Sequence, residues 1–143
     1  MAVLLGNNYL AWFESATAGT FAAVKGQGTY SESRSQPKID TSAKETTGYS
    51  TGAYGNIGYE GSLDLRVNLP DVAYTRLETV ANAPGTAIGF QIRSKGAAGA
   101  TGDAVFAASV YPSITSRNFN KDGTVDVKVS ISLADAPTVD KLA

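Results

Sequence analysis

Two residue types that carry much of protein chemistry are missing from this 143-residue sequence, which contains no cysteine and no histidine. Without cysteine there is no disulfide, thiolate metal site or cysteine nucleophile, and without histidine there is no Ser–His–Asp triad. Any reactive site would therefore have to use carboxylates, lysines, hydroxyls or a glycine-rich loop.

The segment Asn118–Gly123 has the spacing with which a calcium-binding EF-hand loop begins, with oxygen-bearing side chains at three alternate positions before a glycine. The twelfth position of such a loop should supply a bidentate glutamate, and here it is Val129. The segment also leads into a strand pattern rather than a helix. We interpret it as a hairpin turn, with calcium bound by turn oxygens as the alternative.

The other candidate sites lack a necessary part. Gly26 and Gly28 have no third glycine at dinucleotide-binding spacing, and no GK[ST] phosphate-binding motif is present. Asp64 and Asp126 are carboxylates on strand-like segments, but nothing in the sequence places them the roughly 5–10 Å apart that glycoside hydrolysis requires. Lys44 lies near serines and threonines in a flexible context, which argues against a preorganised site. The sequence thus predicts no catalytic, cofactor-binding or metal site and no enzyme.

Composition limits the protein class further. Twelve basic and 13 acidic residues are scattered along the chain and leave a net charge of −1, so no basic patch predicts nucleic-acid binding. No apolar run approaches the ~20 residues of a membrane-spanning helix. The N-terminus lacks a positive region and a cleavage site, so no signal peptide is predicted. The length suits one domain covering residues 1–143.

The stretch Thr41–Gly61 differs from the rest because Ile57 is its only large aliphatic residue, among five glycines. A segment this poor in aliphatic side chains is not expected to line a core, and about 20 residues is long for a loop in a compact domain. Its tyrosines either fold back onto the domain or act as interface anchors, since tyrosine is enriched in contact patches.

Hydrophobic periodicity predicts the remaining elements. Ser62–Leu69 and Thr124–Leu133 alternate strictly, which is typical of half-buried strands. Asp71–Ala83 changes to helical spacing, with Asp71 as the N-cap and an apolar stripe that includes Val72, Leu77, Val80 and Ala81. Thr29–Ile39 is polar and suits an edge strand that ends at Pro37. Shorter runs predict further strands. Val3–Leu5 and Tyr9–Glu14 form one strand with a break at Asn7–Asn8, and the others are Thr20–Val24, Thr86–Ser94, Ala104–Tyr111 and Ile114–Ser116.

These elements predict a mainly β fold with seven or eight strands. Strands that adjoin in sequence favour an antiparallel sandwich or barrel, flanked by one helix at about 71–83 and a long loop at about 41–61. Trp12 is expected to be a core or interface anchor. Residues 134–143 are expected to form a loose C-terminal tail.

In their order, several segments resemble the major tail proteins, or tail tube proteins, of long-tailed, non-contractile bacteriophages and related gene transfer agents. No single segment is specific, but together they span most of the chain. In chain order they are Val24–Gln27, Ile39–Glu45, Gly61–Leu65, Ala73–Leu77, Phe90–Ile92, Phe106–Ala108, Ile114–Ser116 and Asp122–Val125.

The resemblance implies a structural virion protein with a tail-tube-like fold and no cofactor. Subunits of this family form hexameric rings that stack into a hollow tube. The lumen holds the tape-measure protein until ejection and then passes DNA, while tail terminator and distal tail proteins occupy the tube ends. Such a subunit is made in the host cytoplasm and resides in the virion tail.

The resemblance also implies that the long loop is an assembly arm that reaches a neighbouring subunit or ring. The residues predicted to make these contacts are Asp40, Thr41, Lys44, Glu45, Tyr49, Tyr54, Ile57 and Tyr59. Two other protein classes stay open on the sequence. One is a tail terminator, head–tail joining protein or other β-rich virion ring protein. The other is a ligand-binding β-sandwich, which would need a rigid aromatic platform that the glycine-rich setting disfavours.

Overall fold

The computed structural model describes residues 3–40 and 52–142. In these ranges it contains one α-helix, three short 3-10 turns and ten strands. The strands and helix are β1 (Leu10–Glu14), β2 (Phe21–Ala23), β3 (Gln27–Ser35), β4 (Lys38–Asp40), β5 (Gly52–Tyr54), β6 (Gly58–Arg66), α1 (Val72–Ala81), β7 (Ile88–Arg93), β8 (Ala104–Phe119), β9 (Val125–Leu133) and β10 (Val139–Asp140). No helix in the described ranges is long and apolar enough to cross a membrane.

One large antiparallel sheet dominates, with the strand order β2-β1-β7-β8-β9-β6-β3. Strand β8 belongs to both halves of this sheet, because Ala104–Val110 pairs with β7 and Val110–Phe119 pairs with β9. The sheet curls so that its halves face each other, and the rings of Tyr30 and Phe90 lie 5.5 Å apart across the interior. The predicted mainly β, antiparallel class with a flanking helix is confirmed.

The core lies between the two halves and is built from alternate strand residues. The alternation predicted for β6 and for the central part of β9 is confirmed, because Leu63, Val129 and Ile131 are fully buried, whereas Val125 at the start of β9 is exposed. Phe13 and Phe90 meet them from the opposite half, with ring centroids 5.2 Å apart. Burial of each such side chain contributes about 1.5–3 kcal/mol.

Helix α1 packs on β1, β2 and β8 through Ala73, Tyr74, Leu77 and Val80. The predicted N-cap is confirmed, since Asp71 Oδ1 accepts a hydrogen bond from the backbone N–H of Ala73 at 3.1 Å. Its other carboxylate oxygen accepts from the N–H of Lys25 at 2.8 Å, which fastens the helix to the β2–β3 turn. Val72, placed by its spacing in the apolar stripe, is exposed instead because it lies on the solvent side of the first turn.

Trp12 lies on the outer face of β1, outside the main core. The guanidinium of Arg93 stacks 4.4 Å from its ring centroid and also donates to Gln91 Oε1 at 2.7 Å. Trp12, predicted to be a core or interface anchor, therefore belongs to a small separate cluster with Arg93 and Gln91 on the outer face of the sheet.

Three boundaries predicted from periodicity are wrong. Val3–Leu5 is exposed and forms no strand. Leu69 is also exposed, because β6 already ends at Arg66. Pro112 does not interrupt its strand but lies within β8, opposite Ile131. Beyond Val110 one edge of β8 has no partner strand in the described part of the chain, so a missing N–H can be tolerated there.

The predicted loop at 41–61 is shorter than expected. Its Gly52–Tyr54 part pairs with Lys38–Asp40 as a separate two-stranded sheet, and β6 begins at Gly58. Residues 41–51 lie outside the described residues. Tyr59 faces inward and stacks on Phe106 with ring centroids 4.8 Å apart. The expectation that this stretch lines no core is therefore wrong for Tyr59, because a tyrosine ring supplies the apolar surface that aliphatic residues usually provide.

The tail predicted to be loose at 134–143 is instead held at Thr138–Lys141. Val139 and Asp140 pair with Ala107 and Phe106 of β8. The backbone N–H of Lys141 donates to the Val105 carbonyl at 2.8 Å. The tail is held because the first half of β8 would otherwise leave a row of backbone groups without partners.

The close packing of Tyr30 over Gly61 can be tested by adding a side chain at Gly61. A Cβ at this position would lie 2.8 Å from Cζ of Tyr30, too close for either group to stay in place. Gly61→Ala is therefore expected to destabilise the fold by about 1–3 kcal/mol in urea unfolding. Gly102→Ala is the matched control, since its Cβ would meet nothing within 4 Å. Equal stability of the two variants would contradict the packing of Tyr30 over Gly61.

Candidate assembly surface

Two long strand edges of the large sheet have no partner strand among the described residues, whereas the other unpaired edges belong to the short strands β2 and β10. Strand β3 ends the sheet and pairs only with β6. Strand β8 loses its β7 partner after Val110, so one of its edges is open over the nine residues Tyr111–Phe119. Strand β3 is also nine residues long. Because long open edges template pairing with other chains, natural proteins usually cover or shorten them.

The two open edges bound a single four-stranded unit, β8-β9-β6-β3. Each neighbouring pair in this unit is antiparallel, so β8 and β3 run in opposite directions. Two copies placed side by side would therefore set β3 of one against β8 of the next in antiparallel orientation. The ladder could continue without a break from copy to copy.

The end of β3 next to α1 is fixed by the side chain of Gln27. Its Oε1 accepts a hydrogen bond from the N–H of Ala11 at 2.8 Å. Its Nε2 donates to the carbonyls of Ala11 at 3.2 Å and Val24 at 2.9 Å. These bonds join β3 to the opposite half of the sheet and leave its outer edge free.

The middle of β3 is fixed by two tyrosines on the core side, of which Tyr59 is buried and Tyr30 is partly buried. The hydroxyls of Tyr30 and Tyr59 are 2.6 Å apart, and Tyr59 also donates to Glu32 Oε2 at 2.7 Å. Burial raises the pKa of Tyr30 to about 12 and also raises the pKa of Tyr59. Both rings are therefore neutral at physiological pH, and the cluster serves to lock β3 onto β6 from the core side.

The face of the four-stranded unit that points away from the core is rich in hydroxyls. Its serines are Ser31, Ser33, Ser35, Ser62, Ser113, Ser116, Ser130 and Ser132. Its charged residues are Glu60, Asp64, Arg66, Asp126 and Lys128. These three carboxylates and two cations leave a net charge of one negative per subunit on this face, which we call the serine face.

The charges of the serine face neutralise one another. Lys128 Nζ lies 3.9 Å from a carboxylate oxygen of Asp64, and Arg66 Nε lies 4.0 Å from Asp126. These are ordinary cross-strand pairs between β6 and β9. The two aspartates considered for glycoside hydrolysis are thus each placed beside a cation in an open depression of about 620 Å³.

The hairpin turn predicted for Asn118–Gly123 is confirmed between β8 and β9. Asn120 Nδ2 donates to the Thr124 carbonyl at 2.8 Å and to Asp126 Oδ2 at 3.0 Å, so these groups bind one another. Within residues 3–40 and 52–142, no group of three or more acidic residues is placed to hold a metal ion.

The structure separates the residues predicted for the assembly arm. Asp40 ends β4, whereas the next four of them lie outside the described residues, namely Thr41, Lys44, Glu45 and Tyr49. Tyr54 and Ile57 are 64% and 55% exposed and are available for contacts. Tyr59 is only 9% exposed, so its ring has no free surface through which to make the predicted contact.

The predicted edge strand at Thr29–Ile39 is confirmed in β3, but sequence reasoning did not find the matching open edge of β8. Pro112 was a usable indicator, because a proline inside a long apolar strand pattern points to an unpaired edge. The apolar pattern alone instead predicts two strands separated by that proline.

Comparison with known proteins connects this arrangement to a fold. No family model and no curated protein sequence matches the chain. A subunit from the tail of an empty gene transfer agent particle, solved by helical refinement with C6 symmetry, matches with a TM-score of 0.74 and 15% identity over 96% of this chain and 98% of that one. The SPP1 tail tube subunit matches with a TM-score of 0.67 and 16% identity over 97% of this chain and 81% of that one.

A third match comes from the baseplate of the anti-feeding prophage, solved with six-fold symmetry. Its TM-score is 0.64 at 8% identity, over 99% of both chains. At these identities the likeness shows the fold and not the role. The chain has a tail-tube-like fold, as the order of its sequence segments predicted.

Proposed function

We propose that the chain is the repeating subunit of a tail tube, in which copies form rings that stack into a hollow conduit for DNA. The observation that carries this proposal is the pair of open, oppositely directed edges on the four-stranded unit. Pairing β3 of each copy with β8 of the next removes both edges at once when the ring closes.

A ring of six copies, the symmetry of the gene transfer agent tail, would contain 24 strands from the four-stranded units. At a spacing of about 4.8 Å these strands span a circumference of roughly 115 Å, or a diameter of about 37 Å before strand tilt widens it. Barrels of about 16–18 strands already leave an aqueous channel. The ring would thus enclose a wide lumen.

The serine face suits the lining of such a lumen. Nucleic-acid affinity comes largely from basic side chains that neutralise phosphates. On this face both cations are paired with carboxylates, and the remaining side chains are mostly hydroxyls. DNA would pass such a surface without being held by it.

In this role the protein acts by assembly and not by catalysis, in the virion tail after synthesis in the host cytoplasm. Its main partner is a second copy of itself. The tape-measure protein would fill the lumen before ejection, and tail terminator and distal tail proteins would bind the two ends of the tube. A single exposed arm contact repeated in every ring would give avidity from weak contacts.

The exposed part of the arm supplies a testable contact. Tyr54→Ser combined with Ile57→Ser is expected to raise the concentration needed for tube formation at least tenfold, because two apolar anchors are lost from every subunit. Thermal unfolding should not change, since both side chains are exposed. Val72→Ser is the matched control because Val72 is an exposed apolar residue on α1, away from the arm. If the variant forms tubes at the wild-type concentration, Tyr54 and Ile57 are not part of the interface.

A single-ring role is the second candidate, favoured by the likeness to the anti-feeding prophage baseplate. Negative-stain electron microscopy over a concentration series distinguishes the two roles. A tail tube subunit should form stacked rings of increasing length, whereas a terminator or baseplate ring should stop at one layer. A protein that stays monomeric at millimolar concentration would overturn both.

A further inference from the structure

The far end of β3 is held by an ion pair with the C-terminal strand. Arg34 Nη2 lies 2.6 Å from Asp140 Oδ1, and Glu32 Oε1 is 3.6 Å from the same guanidinium. The guanidinium also lies 5.8 Å from the ring centroid of Tyr59. Hydrogen bonding to Asp140 raises the pKa of Arg34 above its ordinary value.

The backbone around Asp140 is held in place by pairing with β8. It pairs with Phe106 of β8, and Val139 beside it pairs with Ala107. The flanking N–H groups of Thr138 and Lys141 each donate to a β8 carbonyl at 2.8 Å. Arg34 is therefore tied, through β10, to the strand that runs through both halves of the sheet.

The Arg34–Asp140 ion pair lies at the end of β3 where the chain leaves the large sheet. After Ser35 the chain leaves the large sheet for the β4–β5 arm, so β3 has an open edge on one side and a departing chain at its end. Gln27 and Tyr30 anchor the other two thirds of the strand. Among the described residues, Arg34 makes the only ion pair from this end of β3 to an element other than its own strand.

We propose that Asp140 is a positioning residue for assembly, which holds Arg34 so that the end of β3 is ordered before it meets β8 of the neighbouring subunit. This inference rests on the proposed tube function. A strand that is ordered beforehand loses less conformational freedom on pairing, so each contact is stronger. The effect recurs at every subunit boundary of a ring.

The Arg34–Asp140 ion pair is expected to contribute little to the free energy of folding. The side chains of Arg34 and Asp140 are 40% and 38% exposed, and exposed ion pairs contribute little to folding. Loss of the pair should therefore change assembly far more than it changes unfolding. This difference separates a positioning role from an ordinary structural one.

Asp140→Asn in the full chain is expected to raise the critical concentration for ring formation about fivefold to tenfold in sedimentation assays. In the monomer, amide hydrogen exchange should accelerate about threefold to fivefold at those of Ser33–Ser35 whose N–H groups bond to β6, while the urea unfolding midpoint stays within error. Asp140→Glu keeps the carboxylate and should assemble like the wild type. Lys95→Gln is the matched control, since it removes another surface ion pair, to the partly exposed Asp103 at 3.1 Å, away from β3.

Wild-type assembly and wild-type exchange in Asp140→Asn would overturn the inference while leaving the tube proposal intact. A wild-type protein that never assembles would instead overturn the tube proposal. In that case unchanged exchange at Ser33–Ser35 would still count against an ordering role for Asp140, and faster exchange would support it. A lowered unfolding midpoint with unchanged exchange would show a merely structural role and also overturn the inference.

Discussion

Oxidation is expected to turn a double-cysteine variant of this protein into covalent chains and closed rings. Ser113 lies on the open edge of β8 and Ser33 on that of β3, and both point to the serine face. In antiparallel pairing, residues directly opposite each other have Cβ atoms about 4.5–5.5 Å apart. The shorter of these separations approach the geometry that a disulfide requires, about 3.5–4.5 Å between Cβ atoms.

The register between subunits is tested by keeping Ser113→Cys and combining it in turn with Ser31→Cys, Ser33→Cys or Ser35→Cys. Only side chains on the same face can meet, so one of the three combinations should cross-link efficiently and the others weakly. The chain has no native cysteine, so non-reducing gels report only the introduced pairs. The efficient pair should give a ladder that ends at the ring size.

Two controls accompany this experiment. Each single-cysteine variant should stop at a dimer, because one thiol cannot link two neighbours. Ser33→Cys with Ser132→Cys should give no ladder, since Ser132 lies on β9, inside the four-stranded unit. Tubes that form normally but cross-link through none of the three tested pairs would show that β3 and β8 are not the lateral interface.

The second large effect is expected from reversing charge on the serine face. Glu60→Lys with Asp64→Lys would change the net charge of this face from −1 to +3 per subunit and would remove the partner of Lys128. Assembled tubes of this variant should retain short DNA duplexes that wild-type tubes release. Retention should fall steeply as salt rises, because each neutralised phosphate contributes to the salt dependence.

A pelleting assay with labelled duplex at several salt concentrations measures this retention. Asp122→Lys with Asp135→Lys is the matched control, since it makes the same charge change at a turn and in the β9–β10 connection. Glu60→Gln with Asp64→Asn should give intermediate retention. If the control retains as much duplex as the serine-face variant, the serine face does not line the lumen.

Much of the local structure could be predicted because it depends on neighbouring residues. The alternation of β6 and β9 follows from the apolar period alone, and the start of α1 follows from Asp71 with its N-cap hydrogen bond. The polar composition of Thr29–Ile39 indicated an edge strand, and β3 is one. Exposure of Tyr54 and Ile57 also agrees with the predicted arm.

The errors arise where distant segments meet. The glycines around Tyr59 predict an exposed arm, yet its ring stacks on Phe106, which is far along the chain. The tail was expected to be loose because its composition gives no strand pattern, but the free backbone groups of β8 recruit Val139 and Asp140. The open edge of β8 depends on where β7 begins, at Ile88 opposite Val110, which no local pattern encodes.

Helical reconstruction of assembled tubes by electron cryomicroscopy tests the central claim most directly. The predicted result is a continuous antiparallel barrel in which backbone hydrogen bonds join β3 of each subunit to Tyr111–Phe119 of the next, with the serine face toward the lumen. Tubes in which these two edges face solvent, or in which α1 lines the lumen, would contradict the account.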